Sequence, residues 1–132
     1  DGLLDMSYNE SMQGSHLGVF PSYYEPWGYT PLEAGALGVP SVTTDLAGFG
    51  RFICLECVPG PNPGIWVLKR WKHNDDDVVE QLAETLHVYA TMSKQERIEN
   101  KIAAREIANM ADWKMFIEHY IDAQNKAVEK LG

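Results

Sequence analysis

The sequence predicts an α/β fold, a short parallel sheet with helices followed by a helical C-terminal segment. Three short apolar runs alternate with turn signals in the first half of the chain, at 16–20, 39–44 and 65–69. A helical stretch, 30–37, lies between the first two runs, which is the spacing of a βαβ unit. Residues 75–131 contain neither glycine nor proline, which favours helix throughout.

Local signals delimit the helices of the first half. Residues 8–13 are expected to form a short helix. Thr30 is a favourable N-cap for the second helix, Pro31 suits its first position, and Glu33 completes a T-x-x-E capping box. On its own, that box explains Glu33 as a helix cap. Gly38 lies just beyond the predicted end, where glycine commonly terminates a helix.

The second half is expected to hold three amphipathic helices. The acidic triplet Asp75–Asp77 marks the start of the first, since a calcium loop would need further ligands. Ser93 and Glu96 form a capping box for the second. The predicted apolar faces are Val79, Leu82, Ala83, Leu86 and Tyr89, then Ile98, Ile102 and Met110, and finally Trp113, Phe116, Ile117, Tyr120, Ile121, Val128 and Leu131.

Composition and charge exclude several classes of partner. A hydrophobic fraction of 45% suits a folded core, and 132 residues suit one domain or part of a larger one. A formal net charge of −8 argues against nucleic acid and against an anionic membrane surface, since both need a basic face. No apolar run is long enough to span a membrane and no signal segment opens the chain, so we expect a cytoplasmic protein. The start without methionine leads us to expect a fragment.

The two cysteines, Cys54 and Cys57, form a C-x-x-C pair of the kind found in redox and zinc sites. A zinc site would need a second pair, which the sequence lacks, and His73 stands without ligand spacing. We interpret both cysteines as reduced thiols ahead of the turn-rich cluster 59–64. We predict no metal ion and no cofactor.

The stretch YYEPWGYTPLE at 23–33 concentrates side chains that a packed core does not need. Gly28 lets a ligand approach the backbone, and the amides that open the following helix form an anion site. Because the preceding strand delivers this loop to the carboxyl edge of the sheet, Glu25 would face the group attached to a bound phosphate. Trp27 and the tyrosines, Tyr29 among them, offer aromatic faces to a sugar or base. These residues predict a nucleotide-sugar site.

The segment HLGVFPSYYEPWGYTPLEAGALGVPSVTTDLAGFG closely resembles the glycogen synthases of the animal and fungal type. Glu25 and Glu33 stand at the E-x7-E spacing of that family, and YYEPWGYTP around them is highly specific. The likeness continues through PGIWVLKRW, the DDD segment and ADWKMFIEHYIDAQNKAV, which covers nearly the whole chain. The resemblance implies a retaining glycosyltransferase of GT-B fold, with two Rossmann-like domains facing a cleft. Residues 1–74 would be part of its C-terminal nucleotide-sugar-binding domain and 75–132 the helical segment of that domain.

The resemblance also implies a reaction and a role for each site residue. Such enzymes transfer glucose from UDP-glucose to the non-reducing end of an α-1,4-glucan, with retention and without a metal ion. Glu25 would contact the donor glucose at the reacting centre, as an electrostatic and positioning group rather than a nucleophile. Glu33 would hold the ribose hydroxyls, and Tyr8 would stack on the uracil. The residues lining the glucose and diphosphate would be Trp27, Gly28, Tyr29 and Thr30.

By the same resemblance, parts of the enzyme lie outside this chain. The acceptor-side N-terminal domain and the basic residues that clamp the diphosphate would be there, so the chain alone is expected to be inactive. The last helix, from Trp113, would cross to that missing domain, and its apolar face favours self-association into a homo-oligomer. An arginine-rich helix binds glucose 6-phosphate in animal and fungal members. Here Arg97, Lys101 and Arg105 alternate with acidic residues, so we do not expect that activation.

Two other interpretations stay open. The chain could belong to another GT-B glycosyltransferase, of the starch or sucrose synthase type. Those enzymes share the E-x7-E spacing, and this alternative includes ADP-glucose as the donor. It could also be a non-catalytic nucleotide- or carbohydrate-binding module. A module predicts that the full-length protein does not turn over UDP-glucose, and a screen of sugar nucleotides separates the two transferases.

Overall fold

The computed structural model describes residues 5–56 and 63–131. Cys57 and the turn-rich cluster up to residue 62 lie outside the described residues, so the prediction for the C-x-x-C pair is not tested. No helix within these two described ranges is long and apolar enough to cross a membrane. The elements are α1 (Tyr8–Gln13), β1 (Gly18–Val19), α2 (Tyr29–Ala36), β2 (Ser41–Thr44), α3 (Gly48–Glu56), β3 (Ile65–Leu68), α4 (Asp75–Thr91), α5 (Lys94–Met110) and α6 (Trp113–Glu129).

The described strands form a parallel sheet in the order β1-β2-β3. Gly18 pairs with Ser41, and Ser41 pairs in turn with Ile65, so the three strands are in register. Each connection between neighbouring strands contains a helix, as a parallel pair requires. The predicted α/β fold with its βαβ unit is therefore confirmed. β1 is shorter than the expected strand at 16–20.

Two hydrophobic clusters pack against alternating residues of the sheet. Ile65 and Val67 of β3 belong to a cluster with Phe49 and Ile53 of α3, which also takes in residues of α5. Val42 and Leu68 belong to a second cluster with Val78 of α4 and Trp66 packed against it. Successive side chains of a strand point to opposite faces, so a sheet covered on both sides needs apolar residues at consecutive positions. This explains the unbroken apolar run IWVL in β3.

The helix starts of the second half agree with the sequence signals. Asn74 caps α4 by accepting a hydrogen bond from the Asp77 amide, directly before the acidic triplet. Ser93 and Glu96 form the predicted capping box of α5. Hydrogen bonds from the Ser93 hydroxyl and amide hold the pKa of Glu96 below its usual value. At each of these helix starts the cap side chain accepts from one of the amides that the helix itself leaves unpaired.

The predicted apolar face of α5 is wrong. Ile98, Ile102 and Met110 are exposed, while the buried residues are Asn100, Ala104, Ile107 and Ala108. The small residues face inward because α5 packs closely against α2 and the start of β3. At the closest approach, Gly35 of α2 lies against Ala104 and Ala108, where a larger side chain would not fit.

The stripe predicted for α4 is only partly correct. Tyr89 is buried and Leu82 packs against the second cluster, whereas Val79 and Leu86 are exposed. Val78, which the prediction passed over, is buried instead. Adjacent valines fit two neighbouring stripes of a helix, so the pattern alone did not decide which one faces the sheet.

Helix α6 spans the predicted residues but covers little of its own apolar face. Phe116 packs against the first cluster. Trp113, Tyr120 and Ile121 are each at least half exposed, and no described residue of α6 is fully buried. The predicted amphipathic helix is confirmed, with most of its apolar surface exposed in this chain.

Candidate functional site

The turn between β1 and α2 places Gly28 at the start of α2. Gly28 has φ 102°, in the left-handed region that favours glycine, and it is the N-cap of the helix. No side chain caps this end, so the predicted capping box of Thr30 and Glu33 is wrong, and Thr30 lies inside the helix. The first amides of α2 therefore point out of its end with no side-chain oxygen on them, which suits an anionic group.

Glu25 lies immediately before this helix and is fixed through its backbone. Its amide donates to the Leu46 carbonyl at 3.3 Å, and its carbonyl accepts from the Gly48 amide at 3.1 Å. The side chain is half-buried, with Oε2 at 3.2 Å from the Ser22 hydroxyl. A Cβ built on Gly28 would lie 3.4 Å from the same Oε2. The carboxylate thus rests directly against the backbone that opens α2.

The start of α3 holds the loop in place. Besides the Gly48 amide on Glu25, the Phe49 amide donates to the Trp27 carbonyl at 2.6 Å. A Cβ on Gly48 would lie 2.2 Å from the Pro26 carbonyl oxygen, so only glycine permits this approach. Helix α3 was not predicted, because Gly48 and Gly50 resemble turn residues. The signal that could have found it is the apolar spacing of Phe49, Phe52 and Ile53.

Tyr8 and Glu33 come together on the other side of α2. The Tyr8 hydroxyl donates to Glu33 Oε2 at 2.8 Å, and the Tyr8 ring is more than half exposed. This hydrogen bond and the charge of the carboxylate raise the pKa of Tyr8 above its usual value. Two residues predicted to bind the base and the ribose are thus direct neighbours, although α1 and α2 are separated by β1.

The aromatic residues of the stretch divide into buried and exposed ones. The Trp27 indole packs against Phe49, Phe52 and Phe116, with ring centroids between 5.7 and 5.9 Å apart. The Trp27 ring therefore packs against the core, and the Trp27 backbone forms part of the loop. Tyr29 is exposed at the mouth of a cavity of about 500 Å³ beside α6.

A second cavity, of about 450 Å³, opens at the carboxyl edge of the sheet next to the Glu25 loop. Its lining includes Tyr24, Asp45, Arg51 and Trp71. Cys54 also lines it, and Lys69 Nζ donates to the Cys54 sulfur at 3.2 Å. Within the described residues, no three histidine, cysteine or acidic side chains converge as metal ligands.

Sequence reasoning missed two residues that contact the Glu25 loop. Ser22 supplies the hydroxyl on the Glu25 carboxylate. Arg70 places its guanidinium 3.5 Å from the centre of the Tyr23 ring. A serine among turn residues gives no signal, but a basic residue near the end of β3 does, because the carboxyl ends of parallel strands share one edge.

These elements define a class of site. One carboxylate lies against the amide end of a helix, and a second lies one turn along the same helix beside an exposed tyrosine. The site is at the carboxyl edge of a parallel sheet, where α/β proteins bind nucleotides and related phosphates. Such an arrangement can receive a diphosphate at the helix end, with hydroxyl groups on either side.

Comparison with known proteins agrees with this class. The family model for glycogen synthase matches residues 1–131. The chain is 40% identical over 129 residues to the liver glycogen [starch] synthase of Mus musculus and to that of Homo sapiens. It is 36% identical over 130 residues to glycogen [starch] synthase isoform 1 of Saccharomyces cerevisiae. Each match covers 97% of this chain and 18% of the relative.

The chain belongs to the glycogen synthase family. It spans less than a fifth of the length of the curated relatives that it matches. It therefore corresponds to only a part of those relatives.

Proposed function

We propose that the intact protein transfers glucose from UDP-glucose to the non-reducing end of an α-1,4-glucan with retention, and that this chain supplies the donor half-site. The hydrogen bond between Tyr8 and Glu33, at 2.8 Å, carries the proposal. It holds an aromatic ring, which can stack on a base, beside a carboxylate, which can accept hydrogen bonds from ribose hydroxyls. Neither residue requires the other for packing, since both are exposed.

The rest of the donor fits along α2. The diphosphate binds at the amides that follow Gly28, and the helix dipole stabilises its charge as it leaves. Tyr29 and Thr30 line this position together with the Trp27 backbone. Glu25 lies against Gly28, and its carboxylate faces the donor glucose, where it stabilises the oxocarbenium character of the transition state.

In this proposal residues 1–74 form the donor site and 75–132 the helical segment of the same domain. The exposed apolar face of α6, around Tyr120 and Ile121, contacts the N-terminal domain that this chain lacks. That domain supplies the glucan acceptor site and further cations for the diphosphate. We place the reaction in the cytoplasm, with no metal ion or cofactor.

Glucose transfer by the intact protein tests the proposal. The intact protein is incubated with glycogen and either UDP-glucose or ADP-glucose, and the configuration of the new linkage is read by NMR. We expect transfer from UDP-glucose, at a higher kcat/KM than from ADP-glucose, into α-1,4 linkages. Preference for ADP-glucose would overturn the assignment of UDP-glucose as the donor. UDP binding without glucose transfer would favour a non-catalytic module.

A further inference from the structure

We infer that Arg70 is a positioning residue for Glu25, which it holds through Tyr23, and that Asp75 fixes the Arg70 guanidinium for this purpose. The inference rests on the proposed function. It gives a role to the end of β3 and the start of α4, where no residue proposed to contact the sugar nucleotide lies. Arg70 lies two residues beyond the end of β3, and Asp75 opens α4.

The hydrogen bonds that anchor the Glu25 loop lie on either side of two residues, the first of which is held by side-chain contacts instead. The Ser22 carbonyl accepts from the Thr44 hydroxyl at 2.9 Å, and the Glu25 amide and carbonyl bond to Leu46 and Gly48. The two tyrosines at 23 and 24 lie between these anchors, and both are exposed. The Ser22 hydroxyl, at the start of this segment, is 3.2 Å from Glu25 Oε2, so the direction of the carboxylate depends on how the segment is held.

Arg70 contacts that segment with an almost buried guanidinium. Its side chain is only 9% exposed. The guanidinium carbon lies 3.5 Å from the centre of the Tyr23 ring, and Nη1 is 3.5 Å from the Pro21 carbonyl oxygen. A planar guanidinium stacks on an aromatic face in a way that the ammonium of lysine does not reproduce.

Asp75 closes the arrangement from the other side. Its Oδ1 is 2.8 Å from Arg70 Nη2, and its Oδ2 accepts a hydrogen bond from the Tyr23 hydroxyl at 3.0 Å. Both oxygens of one carboxylate thus hold two groups that already contact each other. The three residues thus form a closed set of contacts at the surface, in which the Asp75 side chain is 69% exposed and the Arg70 side chain is not.

The position of Arg70 is itself set by the end of the neighbouring strand. Asp45 follows β2, and its Oδ1 accepts from the amides of Arg70 and Trp71 at 2.8 and 3.0 Å. The ends of β2 and β3 are thereby tied together just below the Glu25 loop. A displacement of about 1 Å in a group at the reacting centre can lower the rate by 10²-fold, so this support is sufficient to affect turnover.

The test uses Arg70→Lys and Asp75→Asn in the intact protein, with Asp77→Asn as the matched control. Asp77 carries the same charge in the same first turn of α4, but pairs with His73 instead. We expect Arg70→Lys to lower kcat by about 10- to 100-fold, with the KM for UDP-glucose within about twofold of wild type. Asp75→Asn should show the same split to a smaller extent, and Asp77→Asn should leave kcat unchanged.

Amide hydrogen exchange of residues 22–26 gives a readout that does not depend on activity. We expect faster exchange there in Arg70→Lys than in Asp77→Asn, at equal thermal stability. Unchanged exchange together with unchanged kcat would overturn the positioning role, as would a loss of thermal stability alone. If the wild-type protein transfers no glucose, the proposed function fails, and the exchange result still decides whether Arg70 holds the loop.

Discussion

Tyr8 and Glu33 are 25 positions apart and meet at 2.8 Å, so their contact is a product of the fold. The hydrogen bond stabilises the neutral phenol and the nearby carboxylate disfavours the phenolate, which together raise the pKa of Tyr8. A group whose pKa is raised on folding contributes fully to stability below its ordinary pKa. That contribution is lost as the pH rises through the raised pKa. The contact is therefore intact at neutral pH and is lost only in alkaline solution.

We expect Tyr8→Phe to weaken UDP binding by about three- to tenfold at neutral pH. The ring that stacks on the base remains, but the loss of a hydrogen bond of about 1 kcal/mol leaves the Glu33 carboxylate less well oriented. Calorimetric titration of UDP into the intact protein measures the change. The wild-type affinity should approach that of Tyr8→Phe at alkaline pH, and identical affinities at every pH would contradict the role of this contact.

At this scale the sequence identifies the ligands but not their supports. Glu25 and Glu33 are recognisable because their spacing and neighbours are specific. Ser22 gives no signal, and Arg70 gives only that of a basic residue near the end of a strand, because its contact with the Glu25 loop depends on the meeting of separate strands. The hydrogen bond between Tyr8 and Glu33 was not predicted either, because a capping box explained Glu33 from the local sequence alone.

Among the elements, α5 depends on one buried polar residue. Asn100 is fully buried, and its Oδ1 accepts from the Gly64 amide at 2.9 Å just before β3. Its Nδ2 donates to the Glu96 carbonyl at 2.9 Å, one turn earlier in the helix. This side chain therefore joins the start of β3 to α5, where the small residues of the helix permit close packing.

We expect Asn100→Ala to lower the free energy of unfolding by about 1–3 kcal/mol, because it leaves the buried Gly64 amide without that acceptor. Asn109→Ala, at an exposed position of the same helix, should change it by less than about 0.5 kcal/mol. Denaturant unfolding of the two variants measures the difference. Equal stabilities would show that the bond between α5 and the start of β3 is not needed.

The type of an element, helix or strand, was predictable where the local sequence favours only one of the two. The strands and the long helices follow from apolar runs, caps and the lack of glycine and proline. The inward face of α5 was not, since its packing favours Ala104 and Ala108 over the larger Ile98 and Ile102. The inward face of α4 was predicted only in part. Which face is buried depends on the distance between elements, and hydrophobicity alone does not encode that distance.

For the whole molecule, the exposed apolar face of α6 is the largest helix surface that the described residues leave uncovered. We expect the isolated chain to self-associate through this face, because exposed apolar patches of this kind favour contact between copies. Tyr120→Glu with Ile121→Glu should reduce the association, which sedimentation velocity measures over a range of concentrations. Gln124→Glu with Asn125→Glu, at exposed polar positions of the same helix, should have little effect, and a monomer at all concentrations would contradict the prediction.

The claim that this chain is the donor half-site is tested most directly by Glu25→Gln and Glu33→Gln, compared in the intact protein for UDP affinity and for glucose transfer. Glu25→Gln keeps the size of the side chain and removes its charge at the reacting centre. We predict a loss of turnover of about 10²- to 10³-fold with UDP affinity within about twofold of wild type. Glu33→Gln should mainly weaken UDP binding. Near-normal turnover by Glu25→Gln would contradict the account and leave the carboxylate without a role in the reaction.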